Sequence, residues 1–314
     1  MNKLRTLFFG TPDFSIPTLD ILIHHPSIEV VKVITMPDRS SGRGQKLTAP
    51  PIALFAKENN LPLYQTDNIN KDEALFLELS SQKIDLIIVI AFAQFLSSRY
   101  LNLPKLGAFN IHTSLLPKYR GAAPIQYALL NGDTKTGVTI QKMVKEMDAG
   151  DIVFSEEIAI APNETGGQLY TRLKYLSALS TNKFLSELIE NRLQYTKQNE
   201  SLVSFAPTLK KEDGKIDFKN SSVKVVMNKI RGLDPWPGSY CFLNGKRLKI
   251  LQALVVNNSA GISVNPGENS IKDGFLYVGC LDGILRLKEL QLEGKKKTLD
   301  TDLINGIREK IIIE

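Results

Sequence analysis

Tryptophan occurs once in this 314-residue chain, cysteine twice and histidine three times. Cys241 and Cys280 lie far apart with no Cys-x-x-Cys, so the sequence carries neither a disulfide framework nor a zinc-ligand pattern. We therefore expect free thiols, no metal and a cytoplasmic protein. Long apolar runs are missing as well. The stretch before Gly10 is too short for the apolar region of a signal peptide, and Leu86 to Phe92 is far short of a membrane span. The glycine fingerprint of dinucleotide folds is also absent. Gly10-Thr11-Pro12-Asp13 follows the first apolar strand, but Pro12 and Ser15 stand where further glycines would be, which disfavours a nicotinamide cofactor.

What is present is ordinary in amount. Hydrophobic residues make up 43% and charged residues 23%, as in a soluble protein with a real core, and the length suits two domains. The net charge of +6 is uneven: residues 210–314 hold 18 Lys/Arg against 13 Asp/Glu, whereas residues 1–209 hold 21 against 20. A basic C-terminal third is often just a solvated face, but it also suits a phosphate-rich partner.

The first 160 or so residues alternate between strands and helices. Apolar runs at Leu4–Phe9, Glu29–Ile34, Asp85–Ile90, Ala108–His112, Gly137–Met143 and Asp151–Ile160 read as strands. Asp72–Leu79 and a segment from Pro124 read as helices, as does Gly167 to Arg192 with its leucines at helical spacing. This predicts a doubly wound, Rossmann-like α/β domain over residues 1–192. A polar linker would span 193–209, and residues 210–314 would form a smaller OB-like β-barrel. In that second part, Asn244-Gly245, Asp273-Gly274 and Asp282-Gly283 punctuate short apolar runs as hairpin turns do. Trp236, between Pro235 and Pro237, fits a corner that packs the domains together better than it fits a ligand contact. The Lys295-Lys296-Lys297 run reads as solvated.

The most informative segment is Asn110-Ile111-His112-Thr113-Ser114-Leu115-Leu116-Pro117. In an extended chain Asn110 and His112 project to one face, at a strand end where a parallel sheet places its ligands. An amide donor beside a titratable ring suits a carbonyl turning into an oxyanion and an amine that must lose a proton, the chemistry of acyl transfer. His24 and His25, beside Pro26, read instead as surface residues at a helix end. Asp148, in Met147-Asp148-Ala149-Gly150-Asp151, can complete the site by orienting His112 or a water, although an ordinary turn would also use these residues. Arg39 to Lys46 holds three cations, two glycines and no acid, which suits contact with phosphate or RNA as well as a solvated loop.

Taken together the motifs resemble the methionyl-tRNA formyltransferase family of folate-dependent formyltransferases. The resemblance runs through Phe9-Gly10-Thr11-Pro12-Asp13-Phe14, Pro37-Asp38-Arg39 with Gly42-Arg43-Gly44, and Asn110-Ile111-His112 with Ser114 to Pro117. It continues through Arg120-Gly121-Ala122-Ala123-Pro124-Ile125-Gln126, Asp148-Ala149-Gly150-Asp151, Pro235-Trp236-Pro237-Gly238 and Gly294-Lys295-Lys296-Lys297. It implies formyl transfer from 10-formyltetrahydrofolate to the amino group of methionyl initiator tRNA. Asn110 and His112 would stabilise the oxyanion, and Asp148 would organise His112 and the proton relay. Ser114, Leu115, Leu116, Pro117 and Phe92 would line the folate site. Arg43 and Lys46 would meet the tRNA acceptor stem, while the C-terminal barrel holds the tRNA backbone. Thr113 stands where the family often has Gly, and Phe92-Ala93 where it often has Tyr-Gly.

Three other readings compete. An amino-sugar or small-amine formyltransferase would keep the triad, but a small acceptor needs neither the basic loop nor the basic barrel. A non-catalytic RNA-binding module leaves Asn110, His112 and Asp148 without a purpose. An oxidoreductase lacks its glycine fingerprint. Nothing in the sequence points to a membrane or to an obligatory protein partner.

Overall fold

The computed structural model describes residues 3–41, 46–257 and 261–313. Along the chain to Ala206 the strands are β1 (Leu4–Phe9), β2 (Ile28–Thr35), β3 (Arg39–Ser41), β4 (Lys46–Thr48), β5 (Leu63–Gln65), β6 (Leu86–Val89), β7 (Gly107–His112), β8 (Arg120–Gly121), β9 (Lys135–Lys142), β10 (Ile152–Ala159) and β11 (Phe205–Ala206). Between them run the helices α1 (Ile16–His24), α2 (Pro51–Glu58), α3 (Glu73–Ser80), α4 (Ser98–Leu101), α5 (Pro124–Leu130) and α6 (Gly166–Ile189). The chain forms two compact units. One comprises Met1–Gly121, Thr136–Ile158 and Tyr170–Ala206; the other comprises Ala122–Lys135, Ala159–Leu169 and Pro207–Glu314.

The first unit is built on a seven-stranded sheet in the order β10-β9-β7-β6-β1-β2-β5. β5, β2, β1, β6 and β7 pair in parallel, and β9 runs antiparallel to β7. The unbroken Leu-Ile-Ile-Val of β6 is buried at every position, as a central parallel strand requires. β1 lies between β2 and β6, so the strand order reverses there, the position at whose carboxyl end open α/β sheets bind their ligands. The helices begin where the sequence signals them. Asp72 caps α3 by accepting from the Leu75 N–H at 3.1 Å, and α2 and α5 begin with proline, whose missing N–H costs nothing in a first turn.

The second unit carries α7 (Val223–Gly232) and an antiparallel sheet of β12 (Ser239–Leu243), β13 (Lys246–Val256), β14 (Asn269–Lys272), β15 (Phe275–Cys280) and β16 (Gly283–Leu292) in the order β12-β13-β16-β15-β14. β17 (Thr298–Leu299) adds to β16, and α8 (Asp300–Asn305) follows. Residues of α7 and of the strands meet in one apolar core, including Val226, Ile230, Cys241, Leu248, Val278 and Leu287. Asn244-Gly245 and Asp273-Gly274 each place two consecutive residues at positive φ, the conformation that two-residue hairpin turns demand. An α/β domain with a smaller antiparallel β domain is therefore the architecture found, as expected.

Three local expectations need correction. Arg39 to Lys46, read as a loop, is flanked by paired strands, since β3 and β4 form an antiparallel ladder; residues 42–45 lie outside the described residues. The polar 193–209 stretch is more than a connector. Thr196 bridges Ile152, and β11 pairs in parallel with β8, so much of it packs on the first unit. Trp236 does not fill a packing corner, because it is 52% exposed. Among the described residues no helix is long and apolar enough to cross a membrane.

Asp300 is the most consequential polar group of the second core. It is fully buried, and it accepts hydrogen bonds from Arg286 at 2.8 and 2.9 Å and from the Leu276 N–H at 3.2 Å. Burial alone would push its carboxyl up. The Arg286 hydrogen bonds, the backbone N–H groups of Leu276 and Thr301 and the guanidinium charge outweigh that and hold it below the usual aspartate value. A depressed folded-state pKa gives stability that is present above the unfolded value, near pH 4, and is lost as pH falls through the folded one. Asp300→Ala, which strands Arg286, is expected to cost roughly 3–5 kcal/mol at neutral pH by urea unfolding. The gap between wild type and Asp300→Asn should narrow as pH falls below about 4.

Candidate functional site

The site forms at the carboxyl end of β7. Asn110 and His112 alternate with the buried Ile111, so both side chains stand on one face, and His112 is only 6% exposed. The antiparallel register of β7 with β9 sets Gln141 opposite Asn110 and Thr139 opposite His112. Residues 143–151 then loop from β9 to β10 and bring back Asp148. Its φ of 52° lies in the left-handed region, which a short polar side chain tolerates best after glycine.

The Asp148 carboxylate, 11% exposed, is the meeting point. Its Oδ1 accepts from Asn110 Nδ2 at 3.2 Å and from Gln141 Nε2 at 3.0 Å. Its Oδ2 accepts from the Gly121 N–H at 2.9 Å and lies 3.6 Å from His112 Nδ1. On the far side of the ring, His112 Nε2 is 2.9 Å from the Tyr119 carbonyl oxygen. A carbonyl only accepts, so Nε2 carries the hydrogen. A neutral ring then keeps its lone pair at Nδ1, on the side facing Asp148. Asn110 spends one amide hydrogen on Asp148 and retains the other. The cluster thus combines a proton acceptor, a free N–H donor and a carboxylate that can stabilise a cationic ring.

The surrounding chain holds this arrangement tightly. Gln141 Oε1 accepts from the Gly150 N–H at 3.0 Å, and Gln198 Nε2 donates to the carbonyls of Asp148 and Gly150, each at 2.8 Å. The buried Arg120 in turn donates to Gln198 Oε1 at 2.9 and 3.1 Å and to Glu200 at 2.8 Å. These bonds from Arg120 hold the Glu200 carboxyl below its usual value. Gly121, at φ 127°, passes so near β11 that a Cβ would sit 2.6 Å from the Ala206 carbonyl oxygen.

The other expected residues fall into distinct places. Ser114 is fully buried; its hydroxyl donates to the Lys118 carbonyl at 2.6 Å and its own carbonyl accepts from Thr139 Oγ1 at 2.7 Å, so it shapes the turn. Leu116 is buried, Leu115 and Pro117 are half-buried, and Leu115 lies against Gly137. Phe92, half-buried, meets Phe9 edge-on at 5.3 Å, beside the carboxyl ends of β1 and β6. Lys46 is exposed at the start of β4, and Arg43 lies outside the described residues. Gln141, Gln198 and Tyr119 were missed by sequence reasoning, and Gly121 entered only within the Arg120 to Gln126 motif, without a role. Of the three missed, only Gln141 carried a faint signal, as a polar residue inside the β-branched strand Lys135–Lys142.

Gly150 offers the sharpest structural test. A Cβ there would lie 1.7 Å from the Lys142 carbonyl oxygen, a position no side-chain adjustment relieves. Gly150→Ala is expected to displace the loop and to cost about 1–3 kcal/mol or more, read from the urea midpoint.

Comparison with known proteins identifies the family. The family description "Formyl transferase" matches residues 3–180, and "Formyl transferase, C-terminal domain" matches 208–308. The chain is 43% identical over 310 residues to a methionyl-tRNA formyltransferase of Geobacter sulfurreducens, covering 98% of this chain and 95% of that one. It is 42% identical over 304 residues to one from Thermotoga neapolitana, covering 96% and 95%. In fold it is similar to an N-formyltransferase from Helicobacter canadensis solved with folinic acid and dTDP-3-aminofucose, with TM-score 0.68, 19% identity, and 94% and 100% of the two chains covered. It is also similar to HypX from Aquifex aeolicus in complex with tetrahydrofolic acid, with TM-score 0.61, 16% identity, and 96% and 47% covered. With both descriptions matched in order and relatives this similar over nearly the whole length, the chain belongs to the methionyl-tRNA formyltransferase family.

Proposed function

We propose that this chain moves the formyl group of 10-formyltetrahydrofolate onto the amino group of methionyl initiator tRNA, and that Asn110, His112 and Asp148 carry the transfer. The observation that supports the assignment most is the convergence of Asn110, Gln141, Gly121 and His112 on one shielded carboxylate at the carboxyl end of the sheet. As the amine nitrogen bonds to the formyl carbon, negative charge moves to the formyl oxygen. The second amide hydrogen of Asn110 is suited to meet it, and a protonated His112, its Nδ1–H toward Asp148, adds stabilising positive charge beside it. One proton passes from the amine to the N10 nitrogen as the C–N10 bond breaks, which balances the exchange. Asp148, through His112 or a water, is the group placed to relay that proton.

The donor set fits a folate formyl group, which offers an oxygen to an N–H donor and needs no metal to hold it. Phe92 and the Ser114 to Pro117 turn supply apolar surface beside the carboxyl ends of the strands, with Ser114 shaping the turn from within. We assign residues 1–192 to catalysis, Arg43 and Lys46 to the acceptor stem, and residues 210–314 to the tRNA backbone. An amino-sugar acceptor is the reading to exclude, since the Helicobacter canadensis N-formyltransferase was solved in complex with dTDP-3-aminofucose.

Formyl transfer should be measured side by side with methionyl initiator tRNA, methionyl elongator tRNA and a nucleotide-linked amino sugar. Preference for the initiator tRNA is expected; transfer to the sugar alone would overturn the acceptor. His112→Ala and Asp148→Asn should each lower kcat by roughly 10²–10⁴-fold with tRNA affinity nearly unchanged. Equal loss of binding would indicate misfolding instead. Arg43→Ala should leave folate binding intact and reduce the rate at subsaturating tRNA.

A further inference from the structure

The exposed Trp236 is unusual for its setting as well as its exposure. It is the chain's single tryptophan, flanked by Pro235 and Pro237, which restrict the backbone on both sides. The Gly238 N–H donates to the Leu233 carbonyl at 2.9 Å, and the Gly167 N–H to the Asp234 carbonyl at 2.9 Å. Gly166 approaches the same segment so closely that a Cβ would sit 2.8 Å from the Asp234 oxygen. The loop is thus pinned at both ends, while the indole remains 52% exposed. A large aromatic ring presented from a pre-ordered backbone loses little entropy when it binds something.

Its neighbours indicate what that would be. β12 and β13 pair with Tyr240 opposite Lys249 and Phe242 opposite Arg247, so these four side chains share one face of the sheet. The alternate residues Cys241, Leu243, Leu248 and Ile250 fill the core on the other face. Arg247 covers the buried Tyr240 at 3.5 Å from the ring centroid and donates to the Lys211 carbonyl, and Lys215 sits over the half-buried Phe242 at 5.3 Å, so Trp236 is the exposed ring of this region. The Lys249 ammonium lies 3.9 Å from where a Cβ on Gly238 would be, which joins this face to the Trp236 loop. Lys249 makes no ion pair among the described residues, and Asp234 is the one acid between Leu233 and Gly238. Aromatic rings interleaved with cations are the arrangement that holds unpaired nucleotides, with bases on rings and phosphates on charges. Lysine is depleted at protein–protein interfaces, so the Lys249 ammonium beside this loop favours a phosphate-bearing partner instead.

We propose that Trp236 stacks on an unpaired nucleobase of the tRNA substrate while Lys249 and Arg247 meet the adjoining phosphates. The proposal rests on the tRNA-acceptor reading above. It adds a base contact to a unit otherwise expected to hold only the backbone.

The lone tryptophan makes the test direct. Labelled initiator tRNA is titrated with the full-length protein, with anisotropy reporting binding and indole emission reporting Trp236. Emission should be quenched in step with the anisotropy. Trp236→Ala should weaken binding roughly ten-fold, with Trp236→Phe recovering most of it. Lys249→Ala should reduce the slope of log affinity against log salt by about one. Binding that leaves the indole emission unchanged would overturn the stacking role and leave the acceptor reading standing. So would wild-type affinity in a folded Trp236→Ala. If Trp236→Ala fails to fold, the wild-type emission decides alone. If anisotropy shows no tRNA binding, the acceptor reading fails and the stacking role with it.

Discussion

The site of this protein depends on a single carboxylate that is almost removed from water. A desolvated charge must be matched by donors, and Asp148 draws them from segments far apart in sequence: the Asn110 amide on β7, the Gln141 amide on β9, the Gly121 backbone beyond the Ser114 to Pro117 turn, and the His112 ring at ion-pair distance. Any rearrangement that leaves the carboxylate short of partners is costly. The interaction that supports the proposed chemistry therefore also holds together the strand end, the turn and the loop that form the site.

Backbone geometry serves the same end. Asp148 sits at positive φ, Gly121 at φ 127°, and Gly150 packs where no side chain fits. These are positions where chain direction matters more than local preference, and they cluster around the reactive groups. Behind them, Gln198 and the buried Arg120 tie the loop to the segment that leads into the second unit. That segment is polar in composition yet structural in role. Its side chains supply hydrogen bonds that the loop, lacking an apolar core of its own, could not otherwise find.

The second unit divides its work between two faces of one sheet. Alternation along β12 and β13 sends apolar residues into the core and places Phe242, Arg247 and Lys249 on the opposite face, with Tyr240 buried under Arg247. The basic excess of the C-terminal third is therefore organised in part on a face stiffened by cation–ring stacking. Such a face suits a partner that offers both bases and phosphates.

Much of this was legible in the chain itself. The alternation of apolar strands with helical segments indicated the α/β sheet, and Asn-Gly and Asp-Gly marked the hairpins, because those signals act over a few residues. Asn110, His112 and Asp148 could be named as candidates because an amide, an imidazole and a carboxylate carry recognisable chemistry, and the motifs around them carried the family resemblance. Only the tertiary structure decided that Gln141 faces Asn110, since pairing register between β7 and β9 has no local signature. It alone turned Ser114 inward, left Trp236 in solvent and made residues 193–206 part of the first unit. Local sequence determines which elements form and which groups are available. The long-range pairing of strands and the desolvation of one carboxylate decide which of those groups meet.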